Sequence, residues 1–240
     1  MNNRRFTIYK KFGFLLFIIL CLLSISASSA RAQSVDLIWQ GNGYVPPFYQ
    51  GRTLWSKQTK VSFLAISHGL GSSANLYYKW TKNGTVLGNL NGIGKNNFSY
   101  TDTILSRTQT VKVEILSDTD EVLASATVAL TPVSPSLLVY ENNPLYGFMF
   151  HKEVGGNYRL NESEITFSAF PLFFDVTDRE DSSLVFAWRT NTGAVETGDS
   201  VTYRAPDDVS GSSQVSITVS NKDKITQEAR KGFLVQFGEQ

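Results

Sequence analysis

Tyr77-Tyr78-Lys79-Trp80-Thr81-Lys82-Asn83-Gly84 returns one domain later as Val185-Phe186-Ala187-Trp188-Arg189-Thr190-Asn191-Thr192-Gly193. In each copy a short β-prone run ends on a tryptophan, and a turn signal follows. The match extends outward on both sides. Residues 61–66 match 165–170, Phe98-Ser99-Tyr100 matches Val201-Thr202-Tyr203, and residues 111–115 match 215–219. The offset is 104 at Val61, 108 at Trp80 and 104 at Val113. Ordered blocks at a nearly constant offset are the mark of two related units in tandem. The segments leading into the copies also echo each other. Leu37-Ile38-Trp39 precedes residues 46–51, and Leu138-Val139-Tyr140 precedes Pro144-Leu145-Tyr146-Gly147.

Each block reads as a strand. Val111, Val113 and Ile115 alternate with Lys112 and Glu114, and Val215, Ile217 and Val219 alternate with Ser216 and Thr218. Period-2 alternation buries one face of a strand. Asn83-Gly84, Asn91-Gly92, residues 117–120, Asn191-Thr192-Gly193 and residues 210–213 punctuate the runs as turns. Past residue 32 no segment carries a helical stripe. Many short strands separated by turns predict a sandwich or barrel. A tryptophan on the third strand, filling the space between two sheets, selects the immunoglobulin-like sandwich. The expected core is Phe63, Tyr78, Trp80, Val111 and Val113 in the first copy. In the second it is Phe167, Phe186, Trp188, Val215 and Ile217, with Trp80 and Trp188 as equivalent anchors.

The first 32 residues are of another kind. Arg4, Arg5, Lys10 and Lys11 precede an apolar run at residues 14–23, then a serine-rich stretch and Ala30-Arg31-Ala32. A basic start, a short apolar run and a small-residue cleavage site define a secretory signal. The expected cut follows Ala32 and leaves Gln33 first. An uncleaved anchor fits less well, because a spanning helix needs about 20 apolar residues. Cys21, the only cysteine, leaves with the signal, so the exported chain holds no disulfide, thiol nucleophile or cysteine-bound metal. Lipidation at Cys21 is disfavoured by the bulky Ile19 and Leu20 before it. Removal of the signal also turns a net charge of +1 into −4, with 17 basic against 21 acidic residues. A nucleic-acid binder is basic, so that class is excluded. The expected organisation is a signal peptide over 1–32, a first immunoglobulin-like domain over 33–131 and a second over 132–240. Thr131-Pro132-Val133-Ser134-Pro135 forms the stiff boundary between the two domains.

The motif Tyr78-Lys79-Trp80 with Asn83-Gly84, followed by Val111-Lys112-Val113, resembles bacterial immunoglobulin-like and PKD-like modules. Tyr203-Arg204-Ala205-Pro206 is similar to a turn common in such repeats. PKD domains proper carry W-x-F-G-D-G, where the copies here read Trp80-Thr81-Lys82-Asn83-Gly84 and Trp188-Arg189-Thr190-Asn191-Thr192-Gly193. The resemblance implies an all-β chain of two tandem immunoglobulin-like (PKD-like) β-sandwiches. It also implies a noncatalytic exported module of a cell-surface or pilus-like assembly, with a protein partner at the envelope favoured over a glycan. Released, periplasmic and surface-bound fates all fit, and the oligomeric state is open.

Candidate chemistry is sparse. His68 and His151 are the two histidines, in different copies, and no Gly-x-Ser-x-Gly elbow is present. A triad needs a base beside a nucleophile, so a hydrolase is disfavoured, and residues 68–73 read as a Gly/Ser connection. No catalytic residue or cofactor is expected. Calcium is the one metal considered, at Asp175, Asp178, Glu180 and Asp181, at Asp118, Asp120 and Glu121, or at Asp207 and Asp208. Solvated loops explain these clusters more simply, since calcium needs several converging oxygens. Trp39, Tyr44, Phe48, Tyr49 and Trp55 crowd into seventeen residues beside Pro46-Pro47. They are the possible ligand-contact aromatics, as a carbohydrate-binding surface. Their alternative role is structural, stapling the first strand and covering the sandwich end. Residues 170–174 extend the apolar content of the second copy or form an exposed patch.

Overall fold

The computed structural model describes residues 32–238; all but the last residue of the expected signal peptide lies outside them. The first half contains β1 (Ser34–Gly41), β2 (Lys60–His68), β3 (Tyr77–Lys82) and β4 (Thr85–Val86). It continues with β5 (Gly92–Ile93), β6 (Asn97–Thr101), β7 (Gln109–Leu116) and β8 (Val122–Leu130). The second half contains β9 (Ser136–Asn143), β10 (Gly147–Glu153), β11 (Gly156–Arg159), β12 (Glu164–Leu172) and β13 (Leu184–Arg189). It ends with β14 (Val195–Thr197), β15 (Ser200–Arg204), β16 (Gly211–Asn221) and β17 (Glu228–Phe237). Two single 3-10 turns, Ser73–Asn75 and Gly88–Leu90, are the helical segments among the described residues.

Each half is a two-sheet sandwich. In the first, β1-β2-β6 faces β4-β3-β7-β8. In the second, β10-β9-β12-β15 faces β11-β17-β16-β13-β14. Taken as seven main strands, each half places its first, second and fifth strands in one sheet. The third, fourth, sixth and seventh form the other, which is the immunoglobulin-like arrangement.

The registers superimpose the copies. Phe63 lies opposite Phe98 and Trp80 opposite Val113, as Phe167 lies opposite Val201 and Trp188 opposite Ile217. All ten expected core residues are buried. Each tryptophan fills its core and donates its indole N–H to a carbonyl just before the fifth strand. Trp80 reaches Lys95 at 2.7 Å and Trp188 reaches Gly198 at 3.0 Å. A buried indole has a donor to satisfy, so this shared bond fixes ring orientation as well as burial.

The lead-in echo is displaced by one residue from the sequence match. Trp39 lies opposite Phe63, while Glu141 lies opposite Phe167. The counterpart of Trp39 is therefore Glu141, and Tyr140 corresponds to Ile38. A one-residue slip moves a side chain to the other face of its sheet. Tyr140 accordingly points away from its core, as Ile38 does.

The copies differ most between their first and second strands. In the first, residues 42–59 form a long arm. In the second, β10 returns along β9, and β11 crosses to pair in parallel with β17 on the other sheet.

Candidate functional site

The arm begins and ends where the chain touches itself. Gly41 donates its N–H to Thr53 at 2.8 Å, and a Cβ on Gly41 would lie 2.3 Å from the Leu54 oxygen. Only glycine fits that crossing. Pro46-Pro47-Phe48-Tyr49 is a tight turn, with Tyr49 N–H donating to the Pro46 carbonyl at 2.9 Å. Proline at its second position presets the backbone angle of such a turn. Residues 56–59 make a second turn, in which Thr59 Oγ1 donates to the Ser56 carbonyl at 2.7 Å.

The two turns dock on the second sandwich. The Tyr44 N–H donates to Phe174 at 2.7 Å, and the Phe173 N–H donates to Tyr44 at 2.6 Å. Ser56 Oγ donates to the Phe173 carbonyl, and Val133 N–H donates to Trp55 at 2.8 Å. Gly43 lies so close that a Cβ on it would stand 2.9 Å from the carbonyl carbon of Phe173. The side-chain oxygen of Gln58 accepts from both the N–H and the hydroxyl of Thr226, at 3.1 and 2.8 Å. Buried Gln227 donates to the Lys57 carbonyl at 3.0 Å and accepts the Asp175 N–H at 2.8 Å.

An aromatic cluster continues this junction over the outer face of β9 and β12. The Phe48 ring lies 4.3 Å from Phe150 and 5.4 Å from both Tyr140 and Phe170. Tyr49 meets Phe173 edge-on at 5.8 Å. The Arg179 guanidinium sits 4.3 Å over Phe170, is ion-paired with Asp199, and keeps a buried Nε without a partner. A cation over a ring is attracted to its negative face. Burial raises the Tyr44 phenol above its ordinary pKa, against the opposing pull of Arg179, with Asp178 adding to the rise. Tyr140 is raised by burial and by Glu153.

The five aromatics singled out in the opening are thus brought to one segment but not to one surface. Trp55 is fully buried in the first core and donates to the Thr59 carbonyl. Trp39 packs at that core's margin with Arg52 4.9 Å over its ring. Tyr44, Phe48 and Tyr49 face the second sandwich. Capping therefore extends beyond the arm's own sandwich to its neighbour. Residues 170–174 are buried beneath the arm rather than forming an exposed patch.

The acidic clusters separate. Asp175 pairs with Lys224 at 3.0 Å, Asp178 accepts the Glu180 N–H at 2.8 Å, and Asp181 accepts both the N–H and hydroxyl of Ser183. Those bonds hold the Asp181 carboxyl below its usual range. Asp118, Asp120 and Glu121 lie at the β7–β8 turn, and Asp207 and Asp208 between β15 and β16. Among the described residues no group of three or more His, Cys, Asp or Glu gathers. His68 pairs across the strands with Asp36 at 3.0 Å, and His151 is exposed on β10.

Gly43, Gln58, Arg179, Thr226 and Gln227 were not singled out from the sequence. Lone polar residues in loops show no periodicity. The pair Gly41 and Gly43, flanking the end of a strand, was the available signal of close backbone approach.

The fold and this junction define a tandem immunoglobulin-like β-sandwich protein with a built interface between its halves. No family model and no curated protein matches the chain. Solved structures similar to the chain at low identity include the following three. The fibronectin(III)-like modules of Clostridium thermocellum CbhA are 11% identical, with a TM-score of 0.28, covering 83% of this chain and 93% of that one. The two tandem V-type regions of a v-region-containing chitin-binding protein are 8% identical, with a TM-score of 0.22, covering 84% and 99%. A tetra-tandem repeat from the extending region of a large adhesion protein is 12% identical, with a TM-score of 0.22, covering 87% and 49%. At these TM-scores none of them assigns a function. Among the described residues no helix is long and apolar enough to cross a membrane.

Proposed function

We propose that this protein is a noncatalytic interaction module working outside the cytoplasm, in which two sandwiches are held in one fixed orientation. In this reading it serves a cell-surface or pilus-like assembly and meets a protein partner at the envelope. The supporting observation is the arm at residues 42–59. Tyr44, Phe48, Tyr49 and the arm's backbone are committed to holding the second sandwich, and Trp55 to the first core, rather than to a cleft. Inter-domain contacts that are small and polar leave domains free to move. Here an aromatic cluster, paired backbone bonds and a buried glutamine all act across the junction.

Such a unit transmits position and force between binding partners at its ends. The five opening aromatics have separate partners, so they present no shared platform for a sugar ring. A chain exported by cleavage after Ala32 begins with Gln33 and lies outside the cytoplasm. Labelling intact cells with a membrane-impermeant amine reagent, followed by mass spectrometry, tests this. A labelled chain starting at Gln33 is expected. An unlabelled chain recovered from the cytosol with Cys21 still present would contradict it.

A further inference from the structure

One copy shows how the outer face of its β1-type sheet is covered, and among the described residues the other copy leaves the equivalent face bare. In the second sandwich Tyr140, Ser168 and Phe170 line that face and are 6%, 0% and 5% exposed, beneath Phe48 of the arm and its aromatic neighbours. By register their counterparts in the first sandwich are Ile38, Leu64 and Ile66, which are 46%, 40% and 36% exposed. Ile38 and Leu64 are a cross-strand pair. Between them and Asn97 and Ser99 runs an open groove of about 410 Å³. The turn after it matches as well. Gly69 has φ 71° where Phe173, the residue gripped by the arm, has φ 65°.

The counterpart of the arm in the second sandwich is also unused. Its Phe48-Tyr49 turn is echoed by Leu145-Tyr146, which follows Pro144 at the end of β9. These two side chains are 85% and 77% exposed. Their backbone is nevertheless held rather than loose. Asn143 Oδ1 accepts the N–H of Leu145 at 3.0 Å and of Tyr146 at 3.2 Å, and Gly147 closes the turn with φ 72°. A tip ordered before binding loses less entropy on docking. It stands at the end of β9 farthest from Phe173, because Leu172 pairs with Ser136 at the other end.

We propose that the Leu145–Tyr146 tip of one copy docks on the Ile38, Leu64 and Ile66 face of a second copy. The junction inside the chain would thereby be repeated between chains, head to tail. This rests on the reading of the protein as an interaction module and names its partner as a second copy of itself. The tip and the face are different surfaces, so the contact is heterologous and leaves a free tip and a free face on every dimer. Contacts of that kind extend into chains or rings rather than stopping at two.

The test is sedimentation velocity of the purified exported chain over a wide concentration range. Two variants accompany it, Leu145→Ser with Tyr146→Ser at the tip, and Ile66→Ser on the face. All three positions are exposed, and circular dichroism confirms that the variants fold. The native chain is expected to form species larger than dimers as concentration rises. Each variant alone should associate at least about tenfold more weakly, a loss of roughly 1.4 kcal/mol. Mixed one to one, they should give a dimer and stop, because one supplies the intact face and the other the intact tip. A native chain that stays monomeric throughout overturns the proposal, as it would if another partner covers the face. A native chain that stops at a dimer overturns it too, as do tip variants that associate like the native chain. None of these outcomes alters the cellular location, so the module reading is judged separately by the labelling experiment.

Discussion

Gly69 and Phe173 occupy the same turn of the two sandwiches and share a left-handed backbone, with φ 71° and 65°. Glycine adopts that conformation freely, whereas a bulky side chain does so at a cost of about 1–2 kcal/mol. Phe173 is held there by three groups of the arm. Tyr44 accepts its N–H at 2.6 Å, Ser56 donates to its carbonyl, and Tyr49 packs on its ring. Strain of this kind persists where surrounding contacts over-determine it. Among the described residues Gly69 meets no such arm. Gly69→Phe should therefore destabilise the first sandwich by about 1–2 kcal/mol, read as a lowered denaturation midpoint. An unchanged midpoint would show that the first turn is not held left-handed.

Gly43 separates the junction from the cores. A Cβ there meets the Phe173 backbone at 2.9 Å, and backbone cannot swing aside. Gly43→Val should push the arm off the second sandwich and leave both tryptophan cores intact. The expected result is faster proteolysis within residues 42–59, with near-ultraviolet dichroism from the buried tryptophans kept. The stability loss should be about 1–3 kcal/mol, as for other overpacked sites.

Phe48 tests the aromatic part of the same junction. Its ring is half-buried against Tyr140, Phe150 and Phe170. Phe48→Ala should cost about 2 kcal/mol in calorimetric stability. Phe48→Leu should recover part of that through burial alone. If Phe48→Ala costs nothing, the cluster does not hold the halves together.

Much of this architecture was legible in the sequence and part of it was not, for physical reasons. Trp80 and Trp188 stood out because the repeat and the strand alternation agree around them. Both also satisfy an indole donor at the same place in the fold. The destination of Phe48 and Tyr49 was not legible. Aromatics after a first strand can fill their own sandwich or a neighbour's, and composition is identical in the two cases. The match of Trp39 with Tyr140 failed by one residue, since three-residue resemblance does not fix strand register. Gln58, Gln227 and Arg179 acquire their roles only when distant loops meet.

Alkaline pH should loosen the protein. Tyr44, Tyr100, Tyr140 and Tyr158 all have phenols raised above the ordinary value of 10.0, chiefly by burial. A raised folded-state value favours the protonated form in the folded chain. That stabilisation is complete below pH 10 and is lost as pH climbs through the raised values. Urea midpoints should hold up to about pH 10 and fall as the pH rises further to about 11. Tyr44→Phe should remove part of that slope. A midpoint flat across this interval would contradict the burial of these phenols.

The fixed orientation of the two sandwiches is tested most directly by a distance between them. The single native cysteine, Cys21, lies within the expected signal peptide, so cysteines can be placed at will. Spin labels on Val86→Cys and Val195→Cys report from an exposed strand of each sandwich. Pulsed dipolar spectroscopy should give one narrow distance distribution, and adding Gly43→Val should broaden it. A distribution in the otherwise native chain as broad as in the Gly43→Val variant would contradict a fixed junction.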